Sequence, residues 1–116
     1  MLIVSVGLVP RHSTRGEMVE ILQAVAARVA ADSACARSGV FAALDEEASL
    51  LYLEVWNSEE ALSRHIRSPL FSRILSAMDL AASRPEVRFH EVSSSRGMEW
   101  VEALRRSSPT PSDPDR

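Results

Sequence analysis

Lysine is absent from the 116-residue chain; its 13 basic side chains are all arginines, scattered from Arg11 to Arg116. They stand against 16 acidic residues, for a net charge of −3. No basic stripe interleaves with aromatics, so no nucleic-acid partner is expected. Cysteine is nearly absent too. Cys35 alone can form neither an intrachain disulfide nor a cysteine-based metal site. Long apolar runs are missing, and none approaches the ~20 residues that span a bilayer, so no membrane partner is expected. The opening MLIVSVGLV has no basic region before it, and Pro10-Arg11-His12 follow without a small-residue cleavage site. It reads as a first strand and not as a signal peptide, with the cytoplasm as the expected location. The three histidines, His12, His65 and His90, have no ligand spacing such as HxH or HxxxH, so no metal site is expected.

What remains is the composition of one soluble domain, 46% hydrophobic and 25% charged. Residues 2–9 alternate as a strand, with Val4, Val6 and Leu8 on its well-buried face. Thr14 precedes Glu17 by three positions, a capping-box pattern, and Met18, Ile21, Leu22, Val25, Ala26 and Val29 then recur at helical spacing. A second strand is expected from about Cys35 to Leu44, a hairpin turn at Asp45-Glu46-Glu47, and a third strand at Ser49–Trp56.

The third strand presents two sets, Leu51, Leu53 and Val55 on one side and Leu50, Tyr52, Glu54 and Trp56 on the other. Hydrophobicity puts the aliphatic set against the helices. It leaves Tyr52, Glu54, Trp56 and Phe41 on the opposite face, a candidate for burial in a homodimer, with Glu54 paired to an arginine such as Arg37 or Arg88 across it.

Asn57 or Ser58 caps the next helix, which carries Ala61, Leu62, His65 and Ile66 on one side. Ser68-Pro69 starts another, continuing through Phe71, Ile74, Leu75 and Met78. A fourth strand at Val87–Val92 and a short amphipathic helix near Gly97–Arg105 complete the order. The pattern β-α-β-β-α-β, with its second helical region split, predicts a ferredoxin-like α+β sandwich over residues 1–95. Residues 96–106 form a C-terminal helix, and the proline-rich residues 107–116 a disordered tail.

Several stretches together resemble a known family: GLVPRHSTRGEMVEIL, Cys35 at the opening of strand two, LEVWNSEEALSRHIRSPLF and the ending VRFHEV. The most specific piece is Glu54-x-Trp56 followed by Ser58, Ala61-Leu62, His65, Ser68 and Phe71 in joint spacing. Over about residues 2–93 the chain is similar to antibiotic biosynthesis monooxygenase (ABM) domains, the dimeric α+β barrel proteins. It departs from them at Ser33-Ala34, where members commonly have Pro-Gly.

The resemblance implies a homodimer with facing sheets and a pocket between sheet and helices in each monomer. It also implies oxidation of phenolic or quinol-type aromatics by O2 with neither metal nor flavin. Other members degrade haem, using an Asn at the end of strand one, a Trp in the first part of the split helix and a His in the second. Here strand one ends in Gly7-Leu8-Val9, the Trp position falls at or near His65 and the His position around Leu75, so haem degradation is not implied.

Such chemistry needs a base, a planar site and exclusion of water. His65 is the candidate catalytic group, with an unperturbed pKa of about 6.5. Trp56, Phe71 and Tyr52 are candidate substrate contacts. Arg64 and Arg67 flank His65 and could hold an oxyanion, although a solvated helix face also accounts for them. The rival reading is a non-catalytic dimeric module that binds a small hydrophobic ligand. A cavity of roughly 300 Å3 or more reaching His65, with a second polar group converging on it, favours the enzyme; a filled core favours the rival.

Overall fold

A computed structural model describes residues 1–45 and 48–107. The elements run β1 (Leu2–Leu8), α1 (Arg15–Val29), β2 (Cys35–Ala42), β3 (Leu50–Trp56), α2 (Glu59–Ile66), α3 (Pro69–Met78), β4 (Glu86–Glu91) and α4 (Met98–Arg106). The strands form one antiparallel sheet in the order β2-β3-β1-β4, the ferredoxin-like arrangement that the element order predicts. Glu46 and Glu47 of the expected hairpin turn, and residues 108–116 of the expected tail, lie outside the described residues.

Helices cover one face of the sheet. Met18, Leu22, Val25, Ala26 and Val29 of α1 meet Val4, Val6 and Leu8 of β1 in a core that Phe71, Ile74 and Ala77 of α3 complete. Ser38 of β2 donates to the Ala26 carbonyl at 2.7 Å, tying the sheet edge to α1. Two starts follow the sequence signals. Ser58 accepts from the Ala61 N–H at 3.1 Å, and Ser68 caps α3 with Pro69 in its first turn. The capping box at Thr14 does not form: its hydroxyl makes no cap and donates instead to the Leu80 carbonyl at 2.8 Å, joining the start of α1 to the end of α3.

The face assignment of β3 is reversed from the sequence expectation. Leu50, Tyr52, Glu54 and Trp56 lie under the helices, and Leu51, Leu53 and Val55 lie on the open side. The register carries this across the sheet. Val4 and Val6, which face the core, pair with Glu54 and Tyr52, while Leu51 pairs with Gly7 and Phe41. Leu51 is 41% and Phe41 40% exposed, whereas Glu54 is fully buried. Ranked by hydrophobicity alone, a carboxylate is not a core residue. It can be when donors surround it, and three do.

The C-terminal helix forms as predicted, but none of its residues is buried, and Met98, Trp100, Val101 and Leu104 are exposed. The radius of gyration is 18.2 Å, against about 13 Å for a compact 100-residue domain.

Candidate functional site

The site grows from strand periodicity. Residues i, i+2 and i+4 of a strand share a face, so Tyr52, Glu54 and Trp56 project side by side beneath α2. On α2, Ala61, Leu62 and His65 form the buried stripe, and His65 is lowered onto the middle of that row.

Glu54 is the hub. Its Oε2 accepts from the Tyr52 hydroxyl at 2.6 Å and lies 2.8 Å from His65 Nε2; its Oε1 accepts from the Trp56 indole N–H at 2.9 Å. Burying a carboxylate costs several kcal/mol unless its oxygens are met by donors, and here the strand supplies two of the three. Indole nitrogen can only donate. The Tyr52 hydroxyl keeps its proton because burial, then the charge of Glu54, pushes its pKa far above the usual value. A carboxylate only accepts, so the third partner donates as well: Nε2 carries a proton, and in the neutral imidazole that leaves the lone pair on Nδ1.

The His65 ring is clamped. Trp56 stacks against it at a centroid distance of 5.2 Å and an interplanar angle of 29°, and Phe71 meets it edge-on at 5.4 Å and 84°. Among the described residues no buried side-chain nitrogen or oxygen lacks a partner, and Nδ1 makes no hydrogen bond, so Nδ1 has access to solvent. The ring borders a cleft of about 400 Å3 lined by His65 and Trp56, by Val29, Ala61, Pro69 and Leu70, and by Arg28, Asp32, Arg64 and Ser68. Its volume suits a small aromatic molecule.

Of the four residues singled out in the sequence, His65 and Trp56 line the cleft. Tyr52 and Phe71 stand behind them, Tyr52 bonded to Glu54 and Phe71 packed on the imidazole. The expected pairing of Glu54 with Arg37 or Arg88 is replaced by the pairing with His65, because Glu54 faces the helices and both arginines are exposed. Arg64 reaches the cleft, while Arg67 lines a separate depression on the outer side of α2. The residues that sequence reasoning missed are Glu54, as the partner of His65, and Arg28. The run Tyr-x-Glu-x-Trp was a signal for Glu54, since it sets two donors beside a carboxylate on one strand face. Arg28 had none, because its place at the cleft depends on how α1 packs. Burial raises the Cys35 thiol pKa, and Cys35 lies outside the cleft lining. His90 and His12 are exposed and are not among the residues that line the cleft. Among the described residues no three His, Cys, Asp or Glu side chains are grouped to hold a metal ion, and no helix is long and apolar enough to cross a membrane.

Solved structures share the fold. A protein of Deinococcus radiodurans assigned by name to the antibiotic biosynthesis monooxygenases superposes with a TM-score of 0.74 at 17% identity, covering 84% of this chain and 97% of that one. A Mycobacterium tuberculosis protein gives 0.72 at 18% identity, with 83% and 98% covered. One from Caulobacter crescentus, of the same assigned family, gives 0.69 at 22% identity, with 80% and 90% covered. No protein of curated function matches the chain. The family pattern described as antibiotic biosynthesis monooxygenase matches residues 1–77, from β1 through the cleft residues to the end of α3. By that match over most of its length, and by the fold it shares with these structures, the chain belongs to the antibiotic biosynthesis monooxygenase family.

Proposed function

We propose that the protein is a cofactor-independent monooxygenase that oxidises a phenolic or quinol-type aromatic molecule with O2, working as a homodimer. The observation that carries this reading is the buried Glu54–His65 pair opening onto a cleft of about 400 Å3. The imidazole is held by Glu54 through Nε2 and presents Nδ1 as a base. A flat ring lying on Trp56 would place an acidic C–H or O–H beside it. Proton transfer to Nδ1 gives an imidazolium whose charge the adjacent carboxylate stabilises, as an orienting acid does in hydrolytic triads.

The substrate anion then reduces O2. For an anthrone-type substrate the reacting methylene carbon loses two hydrogens and gains one oxygen as a ketone. The second oxygen atom leaves as water with those two hydrogens, so the substrate is the only reductant. The protein's part is to take the proton, hold the anion and exclude water.

Support for the homodimer comes from the open sheet face. Ile3, Phe41, Leu51, Leu53 and Val55 lie there without helices over them, and a second copy would cover them.

The test is O2 uptake with a panel of anthrone-type and dihydroxynaphthalene-type substrates. Uptake should exceed the protein-free rate, and His65→Ala should lower it by about 10²- to 10⁴-fold, the usual worth of a positioned base. Oxidation no faster than in buffer, with tight binding of the same compounds, would instead identify a ligand-binding member of the family. A rate unchanged in His65→Ala would remove His65 from the chemistry.

A further inference from the structure

The cleft beside His65 is chemically two-sided. Trp56, Val29, Ala61, Pro69 and Leu70 supply an apolar wall, while two cationic residues, Arg28 and Arg64, line the same space. Neither arginine is committed elsewhere. Arg28 makes no ion pair or side-chain hydrogen bond among the described residues. Arg64 stands 3.8 Å from Glu60, and these side chains are 64% and 90% exposed, a geometry that contributes little. The one carboxylate on the cleft wall, Asp32, forms an ion pair with neither arginine; its Oδ1 accepts from the Ala34 N–H at 2.9 Å. A cation in the last turn of α1 complements the helix dipole, which accounts for the sign of Arg28 but not for its place at the cleft.

We propose that the ligand of this cleft is an anionic aromatic: a ring system carrying a carboxylate, held by Arg28 and Arg64 while the ring lies against Trp56 and His65. This rests on the cleft being the ligand site of the proposed function, and not on turnover. Guanidinium groups match a carboxylate through paired N–H donors. Both arginines are exposed, so the ligand's charge stays partly hydrated at the rim while its ring is desolvated inside. That division avoids the cost of burying an ion. It also makes recognition salt-dependent.

The test compares two probes of one skeleton, 2-naphthol and 6-hydroxy-2-naphthoate, by calorimetric titration of the full chain. The naphthoate should bind about tenfold or more tightly than the naphthol, the worth of one hydrogen bond to a charged group, and the difference should shrink as salt rises. In Arg28→Gln/Arg64→Gln the preference should disappear while naphthol affinity is kept. In His65→Ala the preference should persist even where oxidation is lost, which separates this proposal from the assignment of the base. Equal binding of the two probes, failure of the naphthoate to bind, or a preference that survives in the double variant would overturn it.

Discussion

The two faces of β3 differ in the opposite sense to their hydrophobicity. Leu51, Leu53 and Val55 are the greasier set and lie on the open side; Tyr52, Glu54 and Trp56 carry every polar side-chain atom of the strand and are sealed under the helices. What decides is whether a face can satisfy its own polar atoms. One side is closed because Tyr52, Trp56 and His65 all bond to Glu54. The other has nothing above it in the monomer, and its aliphatic character suits a surface that meets another sheet. A buried polar network fixes one arrangement of its members and makes each of them expensive to remove.

Breaking the closed face should have the largest effect. Glu54→Leu leaves the Tyr52 hydroxyl, the Trp56 N–H and the His65 N–H without an acceptor, and should lower unfolding stability by about 3–5 kcal/mol in urea titrations. A loss under 1 kcal/mol would mean that the network contributes little to the fold. The matched change on the open face, Leu51→Arg, should shift monomer stability by only about 0.5 kcal/mol, as surface substitutions do. It should instead convert a dimer to a monomer by light scattering; a dimer that persists would place the interface elsewhere. The equivalent change at Trp56 would test the core and the cleft together, and so would say nothing of the dimer.

The smallest effect is a pH dependence that sharpens the contrast. Tyr52 has its pKa raised in the fold, so the unfolded chain gives up that proton first. Stability is held below about pH 10 and lost as pH rises beyond it. Cys35, raised by burial, acts in the same direction from about pH 8.5. The absence of lysine leaves these two as the only side chains titrating in that window. In a Cys35→Ser background the urea midpoint should fall above pH 10, and the further change Tyr52→Phe should flatten that fall. An unchanged slope would detach Tyr52 from the network.

Much of this was legible in the sequence. Val4, Val6 and Leu8 announced a half-buried strand, Ser68-Pro69 announced the break between α2 and α3, and His65 stood out as the group with suitable chemistry. The side of β3 that carries the core was not legible, because alternation shows that two faces exist without ranking them. Ranking by side-chain hydrophobicity fails where partners arrive from another element, as His65 does from eleven residues away. Thr14 fails for a similar reason: its acceptor, the Leu80 carbonyl, lies 66 positions along the chain. Arg28 becomes part of the site only through the packing of α1. Local pattern located the elements, and long-range pairing decided what they face.

The central claim is that Glu54 holds His65 with its proton on Nε2 and its lone pair on Nδ1. Long-range proton–nitrogen NMR of ring-labelled histidine reads this directly. The account predicts that neutral His65 is the Nε2–H tautomer, and that Glu54→Gln, whose amide would donate to Nε2, shifts it to Nδ1–H. An Nδ1–H tautomer in the unmodified protein, or one indifferent to Glu54→Gln, would contradict it.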